Sequence, residues 1–297
     1  MTKVVLDTNP GWDDALVMLL LLAKPDPIEL LCITTAWGNE DVQWTTQNAR
    51  RMTHYLGRDD IPIYVGATAG LMPFSVDLPC PPSNVLASLP FDPDGPVVRG
   101  PYGPDMIAKM ARTHGSDLTI LGIASMTNLA GAVEKDPAAM RSAHVVMTGG
   151  SFCKDKQTHE FNLGCDAVAT RMILDANVNP VIITFDTEMT MKRGKEAQQK
   201  MRDAGKAGNK YAGFYADVIQ DQLDQGNAES NQGVFDQLAA LYALKPSVFS
   251  LEPTKIVLHD KPSGWIERSS SGQPAQIATV KVDEAYTLLY DRLDIAG

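Results

Sequence analysis

Basic side chains are scarce in this sequence: 26 lysines and arginines against 36 aspartates and glutamates leave a formal net charge of −10. Nucleic acids and anionic membrane surfaces both require a basic face, so neither is expected as a partner, and a small solute is favoured. Cysteine is sparse too. Cys32, Cys80, Cys153 and Cys165 form no Cys-x-x-Cys pair and no Cys/His spacing suited to zinc, and four are few for a secreted disulfide framework. Free thiols in a reducing compartment are expected. Long apolar runs are missing: the longest early one, Ala15 to Ala23, is about half of the ~20 residues that span a bilayer. The opening MTKVVLDTN leads into a strand and an acidic cluster, without the charged and then apolar order of a signal peptide, so a cytoplasmic location is expected. Five histidines show no metal-type spacing, and only His159, beside Glu160, is placed to serve a site.

What is there suits a large buried core. With 297 residues and 44% hydrophobic content, the chain reads as one domain over residues 1–297. Short apolar runs (Val4 to Leu6, Leu30 to Thr35, Ile61 to Val65, Leu118 to Gly122, Ala143 to Met147, Val181 to Phe185) alternate with helical stretches such as Asp13 to Ala23, Val42 to Leu56 and Ala167 to Ala176. That order predicts repeated βαβ units: an α/β fold with a mostly parallel central sheet flanked by helices. Nine prolines between Leu71 and Pro104 predict a long excursion over the rim without helix or strand. Further helices are expected over Tyr211 to Leu223 and, closing the chain, Val282 to Leu293.

The strongest chemical signal is Val4-Val5-Leu6-Asp7-Thr8-Asn9-Pro10-Gly11-Trp12-Asp13-Asp14-Ala15. In a parallel α/β sheet ligands gather beyond the carboxyl ends of strands, and this segment places four oxygen-bearing side chains there. Pro10 and Gly11 turn the chain so that Asp7 and Asn9 can face Asp13 and Asp14. Hard cations such as calcium or magnesium seek such oxygens, and carboxylates packed together without a cation repel or retain a proton. An Asp-Asp pair opening a helix reads equally well, on these residues alone, as an N-cap with dipole compensation.

The segment DTNPGWDDALVML resembles the signature of the inosine-uridine-preferring nucleoside hydrolase family, written DxDPGxDDAxAL. Similar segments follow in the family's order: Thr34 to Asn39, Met126 to Ala130, Val145 to Gly150, Glu160 to Asn162 and Phe235 to Ala239. The resemblance implies a nucleoside hydrolase-like fold, cleavage of an N-glycosidic bond through an oxocarbenium-like transition state, and one Ca2+ ion. By resemblance, Asn9, Asp14, the Thr127 carbonyl and Asp236 are its ligands. Asp13 then accepts the ribose 2′-hydroxyl, Asn39, Glu160 and Asn162 hold the other sugar hydroxyls, and Asp7 orients Asn9 from behind. The resemblance also implies a homodimer or homotetramer working in purine or pyrimidine salvage. Taken singly, Asn39 reads as a turn residue, Thr127-Asn128 as a helix cap and Asp236 as a cap of its own helix.

Three departures stand out. Asn9 occupies the place of an aspartate that in the family both binds the ion and acts as general base; an amide offers oxygen but accepts no proton. Asp13 and Asp7 are the nearest replacement bases, with Asp13 preferred as nearer the sugar. Phe235 stands where many family members carry a histidine that protonates the leaving base, and Lys154 falls near a usual asparagine close to the 5′-hydroxyl. Trp12 and Trp37 read either as stacking surfaces for an aromatic base or as packing residues. Two other functions compete: a phosphatase of the haloacid dehalogenase type, faintly resembled by Asp7-Thr8-Asn9, and a metal-dependent riboside binder without turnover, which Asn9 and Phe235 support.

Overall fold

The computed structural model describes residues 1–24, 27–72, 83–91, 100–154, 160–192, 194–226, 233–259 and 264–295. In chain order these form β1 (Thr2–Thr8), α1 (Trp12–Leu22), β2 (Ile28–Thr35), α2 (Val42–Tyr55), β3 (Ile63–Val65), α3 (Asn84–Ser88) and α4 (Gly103–His114). The middle continues with β4 (Leu118–Gly122), α5 (Thr127–Lys135), α6 (Pro137–Ser142), β5 (His144–Thr148), α7 (Ala167–Asp175), β6 (Val181–Ile183) and α8 (Phe185–Glu188). The last third holds α9 (Lys195–Lys206), α10 (Lys210–Asp224), α11 (Gln237–Leu244), β7 (Phe249–His259), β8 (Trp265–Arg268), β9 (Gln273–Val280) and α12 (Val282–Arg292).

The strands make one nine-stranded sheet in the order β3-β2-β1-β4-β5-β6-β9-β7-β8. Every pair from β3 to β9 is parallel, while β7 runs antiparallel to both β9 and β8. The mostly parallel α/β sheet expected from the sequence is therefore present. From β1 the chain winds outward to β2 and β3, then returns to place β4, β5 and β6 on the other side. Strand order reverses at β1. The carboxyl ends of β1 and β4 lie at that reversal, the usual ligand position in such sheets.

Alternation along β1 sets the two cores. Val4 and Leu6 pack with α1, α10 and α11 on one face, and Val5 packs with Cys32, Ile107, Ile120 and Leu129 on the other. Successive strand side chains point to opposite faces, so a strand covered on both sides is apolar throughout. Helix α1 is enclosed likewise: all of its residues except Asp13 are buried. The apolar run Ala15 to Ala23 is thus a core helix, and among the described residues no helix is long and apolar enough to cross a membrane. Its carboxyl end has no basic residue of its own. Arg292 of α12, buried, donates instead to the carbonyls of Leu20, Leu21 and Lys24 at 2.9, 3.2 and 2.9 Å.

Two expectations shift. Helix α3 forms inside the proline-rich stretch, in the proline-free window after Ser83, whose hydroxyl caps it by accepting from Leu86 N. Thr184 and Phe185, expected at the end of a strand, leave β6 instead; the Thr184 hydroxyl accepts from Thr187 N and starts α8. Cys80 and His159 lie outside the described residues; Cys32, Cys153 and Cys165 are free thiols.

Candidate active site

The β1 end is built by hydrogen bonds to its acids. Asp7 pairs in register with Thr34 of β2 and Gly122 of β4. One of its oxygens accepts from Thr34 Oγ1 at 2.6 Å and Asn128 Nδ2 at 2.7 Å, while the other is buried and has no partner among the described residues. Burial pushes its carboxyl up to about 7. Asp14 accepts four donors: Thr8 Oγ1 at 2.5 Å, Asn9 N at 3.3 Å, Gly11 N at 3.0 Å and Asn39 Nδ2 at 3.1 Å. The bond from Gly11, the N-cap of α1, means that Asp14 caps the helix and faces the site at once. Even so, burial raises its pKa.

Asn9 is fully enclosed. Its backbone carbonyl accepts from Asn39 Nδ2 at 3.1 Å, and its side-chain amide nitrogen is buried with no hydrogen-bond partner among the described residues. Gly38 (φ +154°) lets the chain pass close by: a Cβ there would lie 1.9 Å from Asn9 Nδ2. A substitution at Gly38 therefore displaces Asn9. Asn39 bonds two site residues, Asn9 and Asp14, and so does more than close its own turn.

Asp236 reaches the same place from far along the chain. It is the N-cap residue of α11, yet its side chain makes no capping bond. It accepts from Thr148 Oγ1 at 2.6 Å and Asn162 Nδ2 at 3.3 Å. Carboxylate oxygens of Asp13, Asp14 and Asp236 lie within 4.8 Å of one another. Burial first, then the charges of Asp13, Asp14 and Glu188, holds Asp236 well above the ordinary carboxylate range. Three crowded hard oxygen donors, of which Asp14 and Asp236 have raised pKa values, fit a divalent cation, whose charge relieves their repulsion. Asp13 is the half-exposed member of the three.

Thr127 opens α5 beside this cluster. Its hydroxyl donates to Asp166 at 2.7 Å and accepts the Trp37 indole N–H at 3.1 Å, so the cap role falls to Met126 and Trp37 is anchored through its nitrogen. Trp12 is 4% exposed and meets Phe235 edge-on, with centroids 5.9 Å apart. Phe185 stacks on Phe235 with centroids 6.2 Å apart. Lys154, exposed, lies over the Trp265 ring at 4.3 Å.

Glu160 is bound by backbone. Asn162 N and Leu163 N donate to its two oxygens at 2.6 and 2.9 Å, and the amides of Gly150 and Gly164 also favour its charged form. Burial outweighs them and pushes the carboxyl up to about 7. Asp166, Thr148 and Glu188 are site residues that sequence reading misses. Asp166 accepts from Leu71 N as well as Thr127, and Glu188 is 5% exposed at the end of α8. A carboxylate soon after a buried strand is a usable signal for Glu188, which follows β6; Asp166 gives a different one, as the acid that caps α7.

The inosine-uridine preferring nucleoside hydrolase family matches residues 4–287. An uncharacterized protein of Schizosaccharomyces pombe is 34% identical over 196 residues, 62% of this chain and 61% of that protein, so the match spans less than two thirds of its length. An inosine-uridine preferring nucleoside hydrolase of Leishmania major is 25% identical over 262 residues, covering 84% and 81%. A pyrimidine-specific ribonucleoside hydrolase of Citrobacter koseri is 27% identical over 261 residues, covering 83% and 81%. Among solved structures, a plant nucleoside hydrolase and a purine-preferring ribonucleoside hydrolase from Gardnerella vaginalis each superpose with a TM-score of 0.83 over 98% of both chains at 21% identity. At that identity the likeness shows a shared fold.

Proposed function

We propose, from the premise that this chain belongs to the inosine-uridine preferring nucleoside hydrolase family, that it hydrolyses the N-glycosidic bond of a ribonucleoside or related riboside with the help of calcium. The observation that carries the reading is the meeting of Asp13, Asp14 and Asp236 within 4.8 Å, beside the reversal of strand order at β1. Asp14 and Asp236, with the Asn9 amide oxygen and the Thr127 carbonyl, would hold the ion. When bound, calcium supplies positive charge for the ribose diol and the attacking water.

The chain's own residues do the rest. Asp13, half-exposed where Asp14 and Asp236 are buried, accepts the 2′-hydroxyl and takes the proton that water releases as its oxygen bonds to C1′. Asn9 cannot take that proton. Asn39 and Asn162, which hold Asp14 and Asp236 in place, flank the sugar hydroxyls. Asp7, tied to Thr34 and Asn128, supports the loop behind Asn9. The buried carboxylates stabilise positive charge developing on the sugar ring. Phe235 donates no proton to the departing base, so good leaving groups are favoured. The same reading carries a single domain in a cytoplasmic homodimer or homotetramer of nucleoside salvage.

The test is release of free base from a ribonucleoside panel, with ligand binding measured in parallel. Release that stops on chelation and returns with calcium is the expected result. Binding of ribosides without any base release would favour the second reading, a metal-dependent riboside binder, for which Asn9 in place of a proton acceptor is the supporting observation.

A further inference from the structure

Two helices of the chain open on the same kind of cap. Asp136 precedes α6 and accepts from Ala139 N at 3.0 Å, and Asp166 precedes α7 and accepts from Ala169 N at 3.1 Å. In each, one carboxylate oxygen satisfies an amide of the first helical turn. The second oxygens differ. That of Asp136 takes the exposed Arg112 guanidinium at 2.8 Å, whereas Asp166 is completely buried and its second oxygen takes Thr127 Oγ1 at 2.7 Å and Leu71 N at 2.9 Å. Capping a helix requires neither of those two bonds.

The bonds on that second oxygen run in one direction. An indole nitrogen donates and does not accept, so Trp37 Nε1 gives its proton to the Thr127 hydroxyl at 3.1 Å. The hydroxyl passes its own proton on to Asp166, and Leu71 N aims at the same oxygen. Three segments therefore meet at one acceptor: the chain after β2, the start of α5 and the chain beyond β3. Packing there is close, since a Cβ on Gly70 would fall 2.7 Å from Trp37 Cζ2 and 3.1 Å from Asp166 Oδ2. Two of the segments lead to the acids of the site. Asn39, two residues past Trp37, bonds Asp14 and the Asn9 carbonyl, and Thr127 is the residue whose carbonyl stands among the proposed ion ligands.

We propose that Asp166 is a positioning residue of the ion site: by accepting from Thr127 and Leu71 it fixes the turn that opens α5 and, through the Thr127 hydroxyl, the Trp37–Asn39 loop that braces Asp14. The part played by the ion rests on the functional reading above; Asp166 acts through Thr127 and not on the riboside. Asp166→Asn keeps the cap through its amide oxygen and turns an NH2 group toward two donors, which are left without an acceptor. Thr127→Val breaks the same chain from its middle, because it removes the hydroxyl and keeps the carbonyl.

The experiment titrates calcium alone into the full chain by calorimetry, comparing wild type with Asp166→Asn, Thr127→Val, the two combined, and Asp136→Ala. Asp166→Asn and Thr127→Val are each expected to raise the calcium Kd by about 10-fold or more, the usual cost of losing a partner behind a metal ligand. The combined variant stays within about twofold of the weaker-binding single one, since either change breaks the same chain of bonds. Asp136→Ala, which loses a cap of the same kind, lowers the melting temperature and leaves the calcium Kd as in wild type. A second readout needs no metal: exchange of the Trp37 indole N–H, followed by NMR and assigned with Trp37→Phe, is expected to be faster in Asp166→Asn than in wild type or Asp136→Ala. Thr127→Val serves for the calcium titration if Asp166→Asn does not fold. An unchanged Kd in both folded variants, losses that add in the combined one, or an equal loss in Asp136→Ala overturns the proposal. If wild type binds no calcium, the calcium reading falls by itself and the indole exchange decides: faster exchange in Asp166→Asn upholds the positioning role, and unaltered exchange overturns it.

Discussion

The two rims of the site treat their acids differently. On the β1 side, Asp14 sits among four donors and Asp7 among two, supplied by threonines, asparagines and the turn at Gly11. On the β6 side, Glu160 is bound by backbone amides and Glu188 by nothing among the described residues. Burial does not separate them, since Asp14, Glu160 and Glu188 are all under 10% exposed. The kind of donor does: threonine and asparagine side chains join backbone amides on the β1 side, while backbone amides alone reach Glu160.

That comparison can be pressed hardest on the β1 side. Asp13→Asn is expected to lower riboside hydrolysis by up to about 10⁴-fold, as general-base removal typically does. Release of p-nitrophenol from its riboside measures it, and an undiminished rate would remove Asp13 from the reaction. Next in size, Asn9→Asp is expected to raise the rate on that substrate by about 10²-fold or more, because it restores a proton acceptor where the family carries one. No gain with calcium shown to be bound would mean the pocket has been rebuilt for another reaction.

On the opposite rim the effect is one of stability. The Glu160 carboxyl titrates at about 7 in the folded chain, against roughly 4.3 when unfolded. Between those values the folded chain holds a proton that the unfolded chain has released. The contribution is therefore complete below about pH 4 and is lost as pH rises through 7, by roughly 3–4 kcal/mol for the isolated group. Urea unfolding of metal-free protein at pH 5 and pH 8 reads it, and Glu160→Gln should flatten the slope; equal slopes would count against the assignment. Smallest is Thr34→Val, which removes one of the two donors to Asp7 and should cost about 1–2 kcal/mol in the same assay. A neutral result would show that Asn128 alone satisfies Asp7.

Much of this was legible in the sequence because periodicity and turn chemistry are local. Leu118 to Gly122 is the observed β4, and the closing helix begins at Val282 as expected. Asp7, Asn9, Asp13 and Asp14 declare themselves by spacing within one loop, and Asp236 by its family motif. Glu188 could not be found that way: it lies just past Val181 to Phe185, read as strand, and only the sheet's strand order brings it toward Asp13 and Asp236. Glu160 shows the converse limit. Its identity is visible in the chain, but the amides of Asn162 and Leu163 that occupy it belong to a tertiary turn. The eleven-residue β7 was readable only in part, since strand-like runs show from Lys255 on while its first half, Phe249 to Thr254, is largely exposed and carries Pro253.

Helix α1 carries the site at one end and is gripped by Arg292 at the other. Its eleven residues make a rod of about 16 Å, enclosed on all sides and so unable to bend away from its neighbours. A guanidinium at the helix's carboxyl end also complements the dipole whose positive end lies beneath Asp13 and Asp14. The last helix of the chain therefore acts as a footing for the first loop of the site. Arg292→Met would leave the carbonyls of Leu20, Leu21 and Lys24 without their donor, at the far end of the rod that carries the acids.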